Sequence, residues 1–193
     1  MFSWVSFLSY TVIVAYTPGP INIMSMTNGK TMGLRKGILF NLGNYLGHFI
    51  VMLACLTLSK VLYTVLPQIQ FPMKILGALY VAYLIAKTLF PVKGREISDN
   101  THRSFMVGLV LQLINVKVIL FGLTVMSSYL LPYYTSVPLL ILFALLMSSI
   151  QCTGNIAWTA FGSLIQNIFL KHTIIVNIIM AMVLVYCMVT LFI

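Results

Sequence analysis

Six apolar stretches, separated by short polar or basic segments, constrain this chain more than any other feature. They fall at about 3–27, 39–59, 73–90, 105–130, 137–161 and 173–193. Each is near the roughly 20 residues that an α-helix needs to cross the hydrocarbon of a bilayer. Lipid offers no partner to a backbone N–H or C=O, so runs of this length fold as helices that satisfy themselves internally. Of 193 residues, 61% are hydrophobic and 7% charged, against about a quarter charged in soluble domains. No segment is left over for a soluble catalytic or nucleic-acid-binding domain. The expectation is one all-α polytopic membrane domain over residues 1–193, with six transmembrane helices.

Basic residues order the topology. Lys30, Arg35 and Lys36 follow the first span, Lys87, Lys93, Arg95 and Arg103 surround the third connection, and Lys171 lies in the fifth. The second connection has only Lys60 and Lys74 at its margins, and the fourth, 131–136, has no basic residue. The positive-inside rule makes the odd-numbered connections cytoplasmic and both termini extracytoplasmic. The apolar beginning lacks a basic n-region and runs long for a signal, so it reads as a first helix rather than a cleaved segment. Cys55, Cys152 and Cys187 all fall inside spans, where they are expected to be free thiols packed as small apolar side chains.

Six spans divide into two sets of three, and an odd number of crossings per half makes any internal repeat an inverted 3+3 repeat. Pro18-Gly19-Pro20 interrupts span one, and Asn115-Val116-Lys117 interrupts span four at a similar depth from the opposite side. Inversion would bring the two interruptions together near the middle of the membrane. Each proline removes a backbone donor and clashes with the preceding turn, so helix 1 is expected to break there; the corresponding depth of Asn115-Val116-Lys117 makes helix 4 a second candidate for a break. Broken helix is tolerated in a membrane where it packs on protein or lines a cavity. Thr17, Asn22 and Ser25 are near enough to supply partners, so a structural kink and a functional break are both open.

Lys117 is the only charged residue between Phe105 and Tyr134, and helical rise places it roughly 20 Å beyond Arg103. An ionisable group at that depth costs at least ~2.5 kcal/mol on insertion scales and faces protein or water. Lys117 either bonds helix carbonyls, Gln112 or Asn115 as a structural element, or binds an anionic substrate group. The two acidic residues, Glu96 and Asp99, both lie in the third connection. No carboxylate in a span can therefore relay protons, and proton coupling would fall to His48 or Lys117. In the second span, Gly43 and Gly47 form a small-xxx-small seam for a neighbouring helix, with Asn44 and His48 one turn apart beside it. Span five carries Gln151, Asn155 and Trp158 on one face, able to hold a zwitterion or to join helices. No grouping of His, Cys and carboxylate suggests a metal, and no cofactor is implied.

These residues carry a known pattern. Thr17-Pro18-Gly19-Pro20, the Gly43 to Gly47 stretch and Asn115-x-Lys117 resemble the LysE/RhtB superfamily of bacterial amino-acid exporters over the whole chain. Leu113-Ile114-Asn115-Val116-Lys117-Val118-Ile119-Leu120 with Gly122, Leu131-Pro132, Gly154-Asn155-x-x-Trp158 and Leu184-Val185-Tyr186-Cys187 are similar to its cysteine/O-acetylserine efflux branch. Val116 stands where many members have proline, Ile21 separates Pro20 from Asn22, and His48 takes a place where many relatives have aspartate. The last departure puts a carried-over proton mechanism in question. The resemblance implies a multi-pass plasma-membrane carrier that exports cysteine, O-acetylserine or another small neutral amino acid by alternating access. Homoserine or threonine are the alternative substrates, and a homodimer is compatible with the glycine seams. On this picture Lys117 and backbone amides around Pro18, Gly19, Pro20 and Asn22 hold the carboxylate, Asn22, Asn115 and Asn155 take the ammonium, and Asn44 and Trp158 complete the site. Two other classes stand beside it. A membrane enzyme would need a nucleophile with a base or a metal cluster, and a scaffold subunit would use its polar residues only to join helices.

Overall fold

The computed structural model describes residues 2–89, 101–164 and isolated positions between 175 and 189; at 58–74, 101–103 and several positions from 76 to 88 it describes the backbone alone. Lys93, Arg95, Glu96, Asp99 and Lys171, most of the sixth expected span with Cys187, and the side chains of Lys60, Lys74, Lys87 and Arg103 lie outside that description. The described residues are helical, with no strand among them.

Helix α1 spans Trp4–Tyr16, with Ser3 as its N-cap accepting from Ser6 N. It ends where the sequence places Pro18: Thr17 is extended, at φ −60° and ψ 129°, as the residue before a proline prefers. Helix α2, Pro20–Leu89, starts with proline at its first position, where the missing N–H costs nothing. The break expected in span one is therefore present at residues 17–19. Within α2 the one non-helical residue is Gly33, at φ 77° and ψ 170°, a conformation open to glycine and few others. The chain folds back there, because Ser25 Oγ donates to Asn41 Oδ1 at 2.9 Å although the two residues would be roughly 24 Å apart along a straight helix. Lys30, Arg35 and Lys36 flank this turn.

Helix α3, Thr101–Leu113, is followed after Ile114 and Asn115 by α4, Val116–Thr124, and by a π-helical segment, Val125–Leu130. The axes of Ser104–Leu113 and Val116–Leu130 differ by 54°, which is the second expected break. Helix α5 spans Val137–Leu164. Among the described residues, Pro20–Thr57 (which includes the Gly33 turn) and Val137–Leu164 are long and apolar enough to cross a membrane, and the bent pair makes a third candidate.

The core is built from Phe7 of α1, Met52 and Cys55 of α2, Phe121, Val125 and Met126 of the bent segment, and Phe143, Ala144 and Met147 of α5. Glycines bring the helices together. A methyl on Gly43 would collide with the Phe105 carbonyl and one on Gly47 would lie 2.8 Å from the Leu109 carbonyl, so the glycine seam read in span two is the contact between α2 and α3. Cys55 and Cys152 are free thiols.

Candidate substrate site at two helix breaks

A helix that stops inside a membrane leaves its last four carbonyls without intrahelical donors. In α1 these are Val14, Ala15, Tyr16 and Thr17, since Thr17 N still donates to Ile13 O at 2.9 Å. The donors for Val14 and Tyr16 would have come from residues 18 and 20, and both are prolines without an N–H. Side chains from three other places fill all four positions. Lys117 Nζ donates to Val14 O and to Thr17 O, each at 3.0 Å. Asn22 Nδ2 donates to Ala15 O at 2.9 Å, and Trp158 Nε1 to Tyr16 O at 3.2 Å. A buried carbonyl left unmatched costs about 1–3 kcal/mol; of the four residues Ala15 is buried, Val14 half-buried, and Tyr16 and Thr17 exposed on the helix surface.

The second break supplies the lysine. Asn115 caps α4, with φ −78° and ψ 104°, and its Oδ1 accepts from Lys117 N at 3.1 Å. That cap sets Lys117 in the first turn of α4, from where its side chain reaches across to α1. Gly19 permits the approach, because a Cβ there would sit 3.3 Å from Lys117 Nζ. Three helix ends thus meet. The carbonyl end of α1 carries partial negative charge and suits an ammonium, whereas the amino ends of α2 and α4 carry partial positive charge and suit a carboxylate. The arrangement is complementary to a zwitterion.

A crevice opens at this junction, lined by Gly19, Pro20, Asn22, Gln112, Asn115, Lys117 and Gln151 among others. Its free space is about 10 Å³, enough for one water molecule and too little for an amino acid. At this junction Lys117 Nζ occupies the Val14 and Thr17 carbonyls.

Not every residue singled out from the sequence arrives here. Pro18, Gly19, Pro20, Asn22, Asn115, Lys117 and Trp158 meet at the breaks. Asn155 is fully buried one turn from Trp158, where its Oδ1 accepts from Gln151 Nε2 at 3.4 Å and its carbonyl accepts from Thr159 Oγ1 at 2.9 Å. Asn44 lies in the seam between α2 and α3, its backbone N 3.2 Å from where a Cβ on Gly108 would be, and does not line the crevice. His48 is buried beside Ser148, with Nδ1 and Oγ 2.9 Å apart. Ser148 spends its hydroxyl proton on Ala144 O at 2.8 Å, so Nδ1 of His48 carries a proton and donates. Nε2 is then an acceptor in the neutral ring, and it has no partner among the described residues.

Sequence reasoning missed a buried chain in which Ser25 donates to Asn41 Oδ1 and Asn41 Nδ2 donates to Thr159 Oγ1 at 2.8 Å, tying the Gly33 hairpin to α5. It also missed Ser148 as the partner of His48. One available signal was overlooked: stepping back four residues from Pro18 and Pro20 names Val14 and Tyr16 as the carbonyls that need outside donors.

Fold and site together define a helical membrane protein with an interior polar site at paired helix breaks. The chain belongs to the LysE type translocator family, which it matches over residues 12–193. It is 33% identical over 187 residues to the cysteine/O-acetylserine efflux protein of Escherichia coli O1:K1 / APEC, covering 97% of this chain and 96% of that protein. It is 34% identical, with the same coverage, to the cysteine/O-acetylserine efflux protein of Salmonella typhimurium (strain LT2) and to that of Salmonella choleraesuis (strain SC-B67). No solved structure matches it.

Proposed function

We propose that this chain exports a small neutral amino acid, cysteine and/or O-acetylserine, from a bacterial cell across the plasma membrane by alternating access. The carrying observation is Lys117 Nζ held on the Val14 and Thr17 carbonyls at the break of α1. In the substrate-bound form the α-carboxylate takes Lys117 and the amino ends of α2 and α4, and the carbonyls that Lys117 releases accept the α-ammonium. Asn22, whose Oδ1 would lie 3.7 Å from a Cβ on Gly19, adds a further acceptor on that side. Family membership and the names of the relatives support the substrate class. The six spans, the inverted 3+3 arrangement and the extracytoplasmic termini belong to the same reading, supported by the basic residues around the Gly33 turn and by the meeting of the two breaks. A coupling proton, where export uses one, rides on His48 or Lys117.

Efflux of labelled cysteine and O-acetylserine from loaded proteoliposomes, with and without an imposed pH gradient, tests the proposal. Saturable release of either compound is the expected result. Release no faster than from protein-free vesicles overturns it.

A further inference from the structure

Four side-chain amides line the crevice, and three of them are engaged by protein. Asn22 caps Ala15 O, Asn115 Oδ1 accepts from Lys117 N, and Gln151 Nε2 donates to Asn155 Oδ1. Gln112 differs. It is 0% exposed, and among the described residues neither its Nε2 nor its Oε1 has a partner. A glutamine that served only to join helices would bond across the seam it lies in. Its stem is fixed instead, since a Cβ on Gly47 would lie 2.8 Å from Gln112 Cβ and 3.4 Å from Cγ, so the α2 backbone bears directly on it. Its main-chain carbonyl accepts from Asn115 N at 3.2 Å, which ties it to the break of the bent helix.

We propose that Gln112 is a specificity-determining residue that selects substrates by a hydrogen-bonding side chain, with its amide receiving the ester carbonyl of O-acetylserine or the thiol of cysteine. The inference rests on the exporter reading and deepens it. Lys117, the released carbonyls of α1 and Asn22 serve the charged groups that every amino acid shares. Gln112 lies more than one helical turn before Lys117, on the far side of the Asn115 break, and is left for what distinguishes one amino acid from another. A buried amide without partners carries a penalty, and a ligand group that bonds it removes that penalty. An apolar side chain of the same length leaves the penalty in place and is rejected for that reason.

The test compares O-acetylserine with norleucine, whose side chain has the same chain length and no ester, as competitors of efflux by wild type and Gln112→Met. Methionine keeps the length and flexibility of glutamine without its hydrogen bonds. The variant is expected to lose about tenfold of the preference for O-acetylserine over norleucine. It is also expected to melt at a higher temperature without substrate, because an unpartnered buried amide has been replaced by an apolar isostere. A merely structural glutamine would move neither the preference nor the melting temperature in that direction. Should Gln112→Met fail to fold or to transport, Gln112→Leu and substrate-induced shifts in the melting temperature of the purified protein give the same ratio. An unchanged preference in a variant that still distinguishes substrates overturns the inference alone. Wild-type protein that moves neither cysteine nor O-acetylserine overturns the exporter reading and this inference with it.

Discussion

Lys117→Met separates the cap that Lys117 makes on α1 from the carboxylate binding proposed for it. Methionine fills similar volume and removes the donors at 3.0 Å to Val14 O and Thr17 O. Hydrogen bonds from a charged group contribute about 1.5–3 kcal/mol each, so the gross loss is about 3–6 kcal/mol. Against it stands the cost of keeping an ammonium in the middle of a membrane, about 2.5–3.5 kcal/mol on insertion scales, which the substitution removes. The net destabilisation is therefore only about 0–3 kcal/mol, and the variant inserts and folds. Transport carries no such offset. Truncating one member of a buried charge pair costs about 2–5 kcal/mol, so binding of the substrate carboxylate weakens by roughly 30-fold to several thousandfold. Melting temperature in detergent and saturable efflux from proteoliposomes are measured on the same preparation. A small change in the first with loss of the second is the expected pair. Efflux at the wild-type rate would show that Lys117 is only a cap on a broken helix, and the carboxylate assignment would fall.

Trp158→Phe leaves Tyr16 O without the donor at 3.2 Å in a place where Pro20 cannot substitute, and is expected to lower stability by about 1–3 kcal/mol. An unchanged melting temperature would refute the capping role. Gly19→Ala puts a methyl 3.3 Å from Lys117 Nζ and 3.5 Å from its Cδ; the flexible lysine shifts, the protein folds, and the KM for efflux rises severalfold, whereas an unchanged KM would separate Lys117 from substrate binding. His48→Gln retains a side chain able to donate to Ser148 Oγ and removes the ring that can take a proton at Nε2. Exchange that persists while dependence on an imposed pH gradient disappears is expected if His48 carries the coupling proton, and unchanged gradient dependence leaves it as the packing partner of Ser148.

The break in span one was legible because proline acts through its own covalent structure. Pro18 and Pro20 dictate where α1 stops whatever surrounds them, and an isolated lysine in apolar sequence announces its need for partners. The Gly43 and Gly47 seam was legible for a similar reason, since a missing side chain matters wherever a helix passes close. What the sequence withheld is pairing across distance. Asn41 and Thr159 are 118 residues apart, His48 and Ser148 are 100 apart, and no local period links them. Asn44 illustrates the limit: its place beside the glycine seam followed from helical spacing, but which helix it would meet did not. The π-helical segment Val125–Leu130 has neither glycine nor proline within it, so nothing local marked it.

The break in α1 also bears on how an exporter avoids leaking. Of the four carbonyls left at the end of α1, Asn22 and Trp158 hold Ala15 and Tyr16, while Lys117 holds the outer two, Val14 and Thr17. Lys117 is the one donor of the three that a substrate carboxylate can recruit, because it is the one that carries charge. On the proposed reading, when it turns to the carboxylate the substrate's own ammonium takes the vacated carbonyls, so the four carbonyls at the end of α1 are bonded with and without substrate. An intermediate with Lys117 withdrawn and no ammonium in its place leaves two carbonyls unmatched, at about 1–3 kcal/mol each, and is disfavoured by that amount. Under the proposed carboxylate and ammonium assignment, the exchange of partners at Val14 and Thr17 would couple movement of the break to the presence of a molecule bearing both charges. A compound with a carboxylate and no ammonium would draw Lys117 away without replacing it. Such compounds are expected to bind poorly and not to be exported, and efflux of propionate or 3-mercaptopropionate at rates near that of cysteine would show that the carbonyls play no part in the cycle.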